Sequence, residues 1–598
     1  MGGARKDSPT LLAGYRCALN APSLSSTSVE EVKLVTSGER LVDSVTQEII
    51  EGKLMATVDE MGIVMARTSM SPVIYEVLDF ACGLLTADAE LVAQMNGITL
   101  FTGTFGVQVK SLLEKFADDL MDGDILLTND PYAGGTHACD FAIVKPLFVN
   151  GEILGYAINV AHYLDVGGSV PGSLAPDATS VFQEGLRLPG VKVVRSGVFA
   201  DEILHIIGEN VRLPEIALGD LNAQVAAVRV AAQRMMELCV KYGADIVQTA
   251  FANLLDESEK RSRGAIASLP DGRYEASDII DGDGVTTASI PVKVVVTIMG
   301  DSITADFTGC PPAVPGPINC ARGALQSAVK TIVKAMVGPQ DPSNEGWFRP
   351  LTVIAPAGTI FTAEKPSPTG WYYEGSVHAS ELVWKALAPL MPSRFSAGSY
   401  SSLCVVYISG KDKSGQPFIH IEPQHGGWGA SQHRDGASAL IALTDGDTYN
   451  YSVEVIEARF PLRVKRYGFN IEGGTGAGRR RGGFGIVREY EVLGDHASAY
   501  GSFGRTATLP WGMDGGSHGT PNVLQVAPAD QGVPRSHGRV AHIDLKAGDI
   551  LRVVTGGGGG WGDARKREAD LIENDLRNGF LSAFDAVSLY GYERRKEQ

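Results

Sequence analysis

The stretch over residues 140–168, DFAIVKPLFVNGEILGYAINVAHYLDVGG, decides how this chain is read. Residues 142–149 and 153–161 alternate in the manner of strands. Asn150–Gly151 between them suits a two-residue hairpin turn, whose central positions need positive φ. The segment therefore predicts two antiparallel strands whose far ends are polar. NDPYAGGTHACD (129–140) leads in, and AHYLDVGG (161–168) leads out.

Working outward, apolar residues at helical spacing predict a helix over 45–68, with Ile49, Leu54, Val58, Met61 and Met65 near one face and Ser44 or Thr46 as its cap. Residues 79–86 (DFACGLLT) and 124–128 (DILLT) read as further strands. A long helical region is expected over about 218–268, with Leu221, Val225, Val228, Ala232, Met235, Leu238 and Val240 packed and Gly243 as a stop. From Asp271 the pattern turns to strands, with a turn at Gly300–Asp301. Residues 365–560 mix short strands with glycine loops, and a helical tail follows from about Ala564. The prediction is a large mixed, multi-domain α+β fold with β-sheets, a long helical segment and glycine-rich loops. Its parts are an arm over 1–42, a metal-binding α/β domain over 43–270, a β-rich domain over 271–364, a glycine-rich β/α region completing the site over 365–563, and a tail over 564–598.

Composition narrows the function. A net charge of −17 argues against nucleic acid, because phosphate contacts need clustered cations. The run Arg479–Arg480–Arg481 is too short to reverse that. No apolar run reaches the roughly 18 residues of a membrane span, and the first forty residues, SLSSTS among them, read as a flexible arm and not as a secretory signal. Seven cysteines without CxxC pairs speak for reduced thiols, so a cytoplasmic enzyme is expected. The 71 glycines exceed the usual share of roughly 7%. They imply tight turns and close backbone approach. There is no GxxxxGKS/T phosphate loop. The GxGxxG at Gly557, Gly559 and Gly562 lacks room after it for a dinucleotide fold and reads as packing.

Chemistry concentrates at the polar strand ends. His137 and Asp140 follow a double glycine, and His162 comes 25 residues after His137. Two imidazoles and a carboxylate suit a divalent ion and leave a position open for water or substrate. Asp165 is placed in sequence to orient a ligand histidine. From spacing alone a structural reading stays equally open: His137 as a turn cap, Asp140 as a helix cap, His162 as a satisfied histidine. His378, His425 and His433, near glycine loops, are candidates to line a substrate pocket, as are Tyr163, Trp371, Tyr372, Tyr373 and Trp428.

NDPYAGGTH and AHYLDVGG, together with EMGIVMARTSMSP, VFQEGLRLPGVKV, EIALGDLNAQVAAVRV, GPINCARGAL, YSVEVIEARFPLRVKRY, GAGRRRGGFGIVREY and VVTGGGGGWGD in that family's order, resemble the hydantoinase B family after about residue 43. That family includes the corresponding half of 5-oxoprolinase, caprolactamase, and acetone and acetophenone carboxylase subunits. The resemblance implies that His137, Asp140 and His162 bind a divalent metal, Zn or Mn. It places the family's earlier aspartate on Asp79, as a second-metal ligand or catalytic group, with turn capping as the alternative. Many relatives carry His-His where this chain has His162–Tyr163. The resemblance further implies a hetero-oligomer with a hydantoinase A-like ATPase subunit, which binds ATP and phosphorylates a cyclic amide that activated water then opens, Asp165 or Asp79 assisting. The alternative is a subunit of an ATP-dependent acetone- or acetophenone-type carboxylase. Retention of His137, Asp140 and His162 together argues against a merely structural partner.

Overall fold

Positive φ at Asn150 (53°) and Gly151 (85°) closes the expected hairpin. The computed structural model describes residues 42–446 and 448–593, so the arm expected over 1–42 lies, but for Val42, outside the described residues. The hairpin strands occupy the middle of a seven-stranded sheet built from β1 (Phe80–Thr86), β2 (Leu91–Gln94), β3 (Ile125–Thr128), β4 (Asp140–Val149), β5 (Glu152–His162), β6 (Val191–Arg195) and β7 (Val198–Phe199). Its spatial order is β2-β1-β5-β4-β3-β6-β7, and every pairing is antiparallel. Asp140 stands opposite His162 across β4 and β5. Phe80 pairs with Ala161 across β1 and β5. Asp79, Asp140 and His162 therefore meet at one end of three adjacent strands.

These strands are buried along most of their length because both faces are covered. The helix Ser44–Thr68 packs on β1, and the helix Pro214–Tyr242 packs on β4 and β5. Some details differ from the sequence reading. Asp43, one residue earlier than expected, caps the first helix, its carboxylate accepting the Thr46 amide at 3.0 Å. Its buried stripe starts at Ile50, while Ile49 is 41% exposed. The long helical region is two helices, Pro214–Tyr242 and Ala244–Ala267, divided at Gly243, whose φ of 93° a side chain would strain. Val240, expected to pack, is exposed because it lies on the solvent face of the helix with Met236, away from buried Leu238 and Cys239.

Strands Gly272–Asp281, Ser289–Met299, Ser302–Asp306 and Leu351–Ile354 form a second sheet, with the expected turn at Gly300. A third sheet joins Val405–Lys411, Pro417–Glu422, His496–Ser502 and Val540–Lys546. A fourth joins Leu462–Phe469, Ile486–Val492, Val523–Ala527, Arg535–His537 and Ile550–Val554. The architecture is α+β, and one hydrophobic core runs from Ile50 to Val553. No helix among the described residues is long and apolar enough to cross a membrane.

The glycine run 556–560 is a layer of backbone threaded between other backbones. Gly427 N–H donates to Gly556 O at 2.9 Å, Gly558 N–H to Gly483 O at 3.0 Å, and Gly560 N–H to Ser517 O at 2.9 Å. The GxGxxG motif is thus spent on packing. The basic run beside it latches the C-terminal tail: Arg479 and Arg480 pair with Glu568, and Arg481 with Asp575 of the helix Ala569–Arg577.

A Cβ at Gly558 would lie 2.0 Å from the Trp428 carbonyl oxygen, whereas one at Gly264, inside a helix, meets nothing within 4 Å. Gly558→Ala should lower the thermal unfolding midpoint sharply or abolish soluble expression. Gly264→Ala should raise stability by about 1 kcal/mol. Similar small shifts for both would show that the glycine layer is not tightly packed.

Candidate metal centre

The loop before β4 aims His137 inward. Asn129 pins it, its amide donating to Ala138 O at 2.6 Å and Leu186 O at 2.8 Å while its carbonyl oxygen accepts from Leu188 N–H at 2.6 Å. Asp130 accepts the Tyr132 amide at 3.1 Å, and Gly134 turns the chain with φ 92°. A side chain at Gly135 would strike the Asp130 carbonyl oxygen at 2.8 Å. The double glycine is therefore what lets the chain reverse one residue short of Thr136 and His137.

His137, Asp140 and His162 are buried and converge. His137 Nε2 lies 2.9 Å from Asp140 Oδ1, His162 Nδ1 lies 3.1 Å from the same oxygen, and the two nitrogens are 3.2 Å apart. Donor atoms around a divalent ion at about 2.0–2.1 Å stand roughly 3.0–3.4 Å from one another, so the triangle has the edge lengths of a ligand set. A two-histidine, one-carboxylate face also leaves positions open. Burial alone would raise the Asp140 carboxyl, but its contacts with His137 and His162 outweigh it and hold the group well below the usual carboxylate range. Thr136 Oγ1 donates to Asp140 Oδ2. The second oxygen is thereby occupied while Oδ1 faces the histidines.

The structure brings Asp79 to this site and takes Asp165 away from it. His162 N–H donates to Asp79 O at 3.0 Å, and Asp79 lines the cavity over the triangle. Asp165 does not orient a histidine: its carboxylate accepts Gly167, Gly172 and Arg212 amides at 3.0, 2.9 and 2.8 Å and pairs with the Arg212 guanidinium at 2.8 Å. That uses its acceptors on the 165–172 turn. The group that meets His137 from behind is the Gly370 carbonyl, 2.7 Å from Nδ1.

The cavity measures about 40 Å³ and is lined, besides the triangle and Asp79, by Tyr372, Tyr373, Tyr407, Ile421 and Asp445. At about 10–15 Å³ each, it admits a few waters. Asp79 keeps some exposure as a residue, yet desolvation of its carboxyl pushes it up to about 7 against the pull of His162. Burial, with Asp140 nearby, likewise pushes Asp445 up to about 7. Asp445 was not singled out in the sequence, since nothing in LTDGDTYN marks it. His378, His425 and His433 are not part of this cavity lining: His378 is bonded to Glu374 O within its own helix, His425 faces Thr448 O, and His433 is exposed. Tyr163 points the other way, its hydroxyl donating to Gln224 at 2.9 Å.

The chain is similar to known proteins over most of its length. The family model described as Hydantoinase B/oxoprolinase matches residues 43–564. The B-type component of a putative D-/L-hydantoinase from a Pseudomonas species is 32% identical over 92% of this chain and 95% of its own. The crystal structure of the ATP-dependent caprolactamase of Pseudomonas jessenii superposes with a TM-score of 0.86 at 27% identity, covering 93% of this chain and 97% of that one. A nucleotide-free acetone carboxylase structure shares the fold, with a TM-score of 0.86 at 18% identity over 92% of this chain and 80% of that one.

Metal analysis separates the roles. His137→Ala should reduce bound divalent metal from about one ion per chain to a small fraction. Asp165→Asn should keep full occupancy while losing on the order of 2–3 kcal/mol of stability, because it breaks a largely buried ion pair and one turn acceptor. Full metal retention by His137→Ala would remove that residue from the ligand set.

Proposed function

The chain belongs to the hydantoinase B/oxoprolinase family, and from that premise we propose that it is the ring-opening component of an ATP-dependent cyclic-amide hydrolase in which His137, Asp140 and His162 hold a divalent ion, Zn or Mn. The observation that carries this reading is the buried triangle of donor atoms with edges of 2.9, 3.1 and 3.2 Å beneath a small cavity.

A divalent ion there would lower the pKa of a water toward about 7 and furnish hydroxide at neutral pH. Two carboxyls face the same space, and burial pushes both up to about 7. One can be ionised while the other keeps its proton, which equips the pair for base and acid work in one turnover. Asp79, beside His162, accepts the proton of the attacking water. Asp445 delivers one to the departing ring nitrogen. Tyr372, Tyr407 and Ile421 shape the surrounding wall.

An amide resists attack because its nitrogen lone pair is delocalised into the carbonyl. Activation is assigned to a hydantoinase A-like partner that binds ATP and phosphorylates the amide oxygen. This division of labour accords with the absence of a phosphate loop from the sequence. The hydantoinase relative, named as one component of its enzyme, and the ATP-dependent caprolactamase support it.

Reconstitution with such an ATPase partner, ATP and a panel of lactams, hydantoins and 5-oxoproline should give ring opening that requires ATP. Asp79→Asn should lower the rate about 10²–10⁴-fold with metal retained. Label from bicarbonate fixed into a ketone product, without ring opening, would replace this reading by carboxylation.

A further inference from the structure

Building on the metal set above, we propose that Glu184 is a positioning residue for His137: its buried carboxyl group clamps Gly370, whose carbonyl holds the proton of His137 on Nδ1 and turns Nε2 toward the cation site. Glu184 follows the short 3-10 turn Val181–Gln183 and is fully buried. Among the described residues no cationic side chain lies within 4.0 Å of it to explain a carboxyl in the interior. Its two oxygens are instead given to consecutive backbone amides. Oε1 accepts from Gly370 N–H at 2.7 Å and Oε2 from Thr369 N–H at 3.1 Å.

The other side of Gly370 meets the metal set. Its carbonyl lies 2.7 Å from His137 Nδ1. A carbonyl oxygen only accepts, so Nδ1 carries the hydrogen and Nε2 keeps its lone pair. Nε2 is the atom that faces Asp140 at 2.9 Å and His162 at 3.2 Å. The next peptide is fixed as well, because Trp371 N–H donates to Pro317 O at 2.9 Å and the indole N–H to Leu174 O at 2.9 Å. A Cβ at Gly370 would come within 3.0 Å of Glu184 Oε1. A side chain there would press on the carboxyl group.

Gln183, one residue earlier, does a different job. Its side-chain oxygen accepts the Thr179 and Ser180 amides at 2.7 and 3.1 Å and so holds only its own turn. It supplies the control for a loop that is merely loosened.

The test measures Mn²⁺ and Zn²⁺ affinity of the purified metal-free chain by chelator competition, alongside thermal midpoints. Wild type should bind and His137→Ala should not. Glu184→Gln, which turns one acceptor into a donor, and Gly370→Ala, which pushes the carboxyl group away, should each weaken binding about 10–100-fold. Gln183→Ala should stay within about 2-fold. Wild-type affinity in both Glu184→Gln and Gly370→Ala, with binding still lost in His137→Ala, overturns the role of Glu184 and leaves the ligand set standing. Equal weakening by Gln183→Ala overturns it too, since loosening the turn would then account for the effect. A wild-type chain that binds neither ion overturns the ligand set and this inference with it.

Discussion

Everything at the site depends on the register between β4 and β5. Side chains alternate across a strand with a period of two, so a slip of one residue would exchange the faces of His162 and Tyr163 and carry the imidazole away from Asp140. The two-residue turn at Asn150–Gly151 sets the register at its own end, pairing Val149 with Glu152. A bulge at Leu154, where the register shifts between Leu147 and Phe148, then moves the pairing by one residue and brings Asp140 opposite His162. The strand interior, buried on both faces, penalises any other pairing.

Burial then governs the electrostatics. In water a carboxylate flanked by two histidines would be an ordinary weak ion pair. Here Asp140 lies in the interior, where desolvation opposes its charge and only the two imidazoles and Thr136 keep it ionised. Burial prevails at Asp79, against the pull of His162, and at Asp445, and both rise to about 7. A single cavity thus holds one carboxyl committed to charge and two that burial pushes toward the protonated form.

What was legible in the sequence was local. The hairpin, the Gly243 break, the turn at Gly300 and the packing role of the 556–560 glycines each depend on residues close together in the chain, and each has a compositional mark. The His137, Asp140 and His162 set was legible for the same reason: all three sit within one turn or one pairing of the hairpin ends. Ile49 was mistaken for Ile50 because adjacent isoleucines on a helix differ by 100° of rotation, which periodicity over a mixed surface does not resolve. Asp445 and Gly370 were not legible. They arrive from hundreds of residues away, and Gly370 contributes a carbonyl, which every residue has. Asp165 misled because an acid after a histidine and before a glycine pair is also how a tight turn is tied. Three amides and Arg212 claim it.

The departure at Tyr163 can be weighed on the same geometry. Its ring stacks on Phe141 at 4.1 Å, and its hydroxyl reaches Gln224 in the helix Pro214–Tyr242. Gln224 in turn donates to Phe141 O and Asn159 Oδ1, both at 2.8 Å, tying that helix to β4 and β5. An imidazole at position 163 would therefore meet the helix and not the cavity, as long as the backbone holds. The exchange of histidine for tyrosine changes how the sheet is braced from behind, with a stacked phenol in place of a ring nitrogen. The triangle of ligand atoms is set by the residues on the opposite face, and its composition does not depend on which aromatic stands at 163.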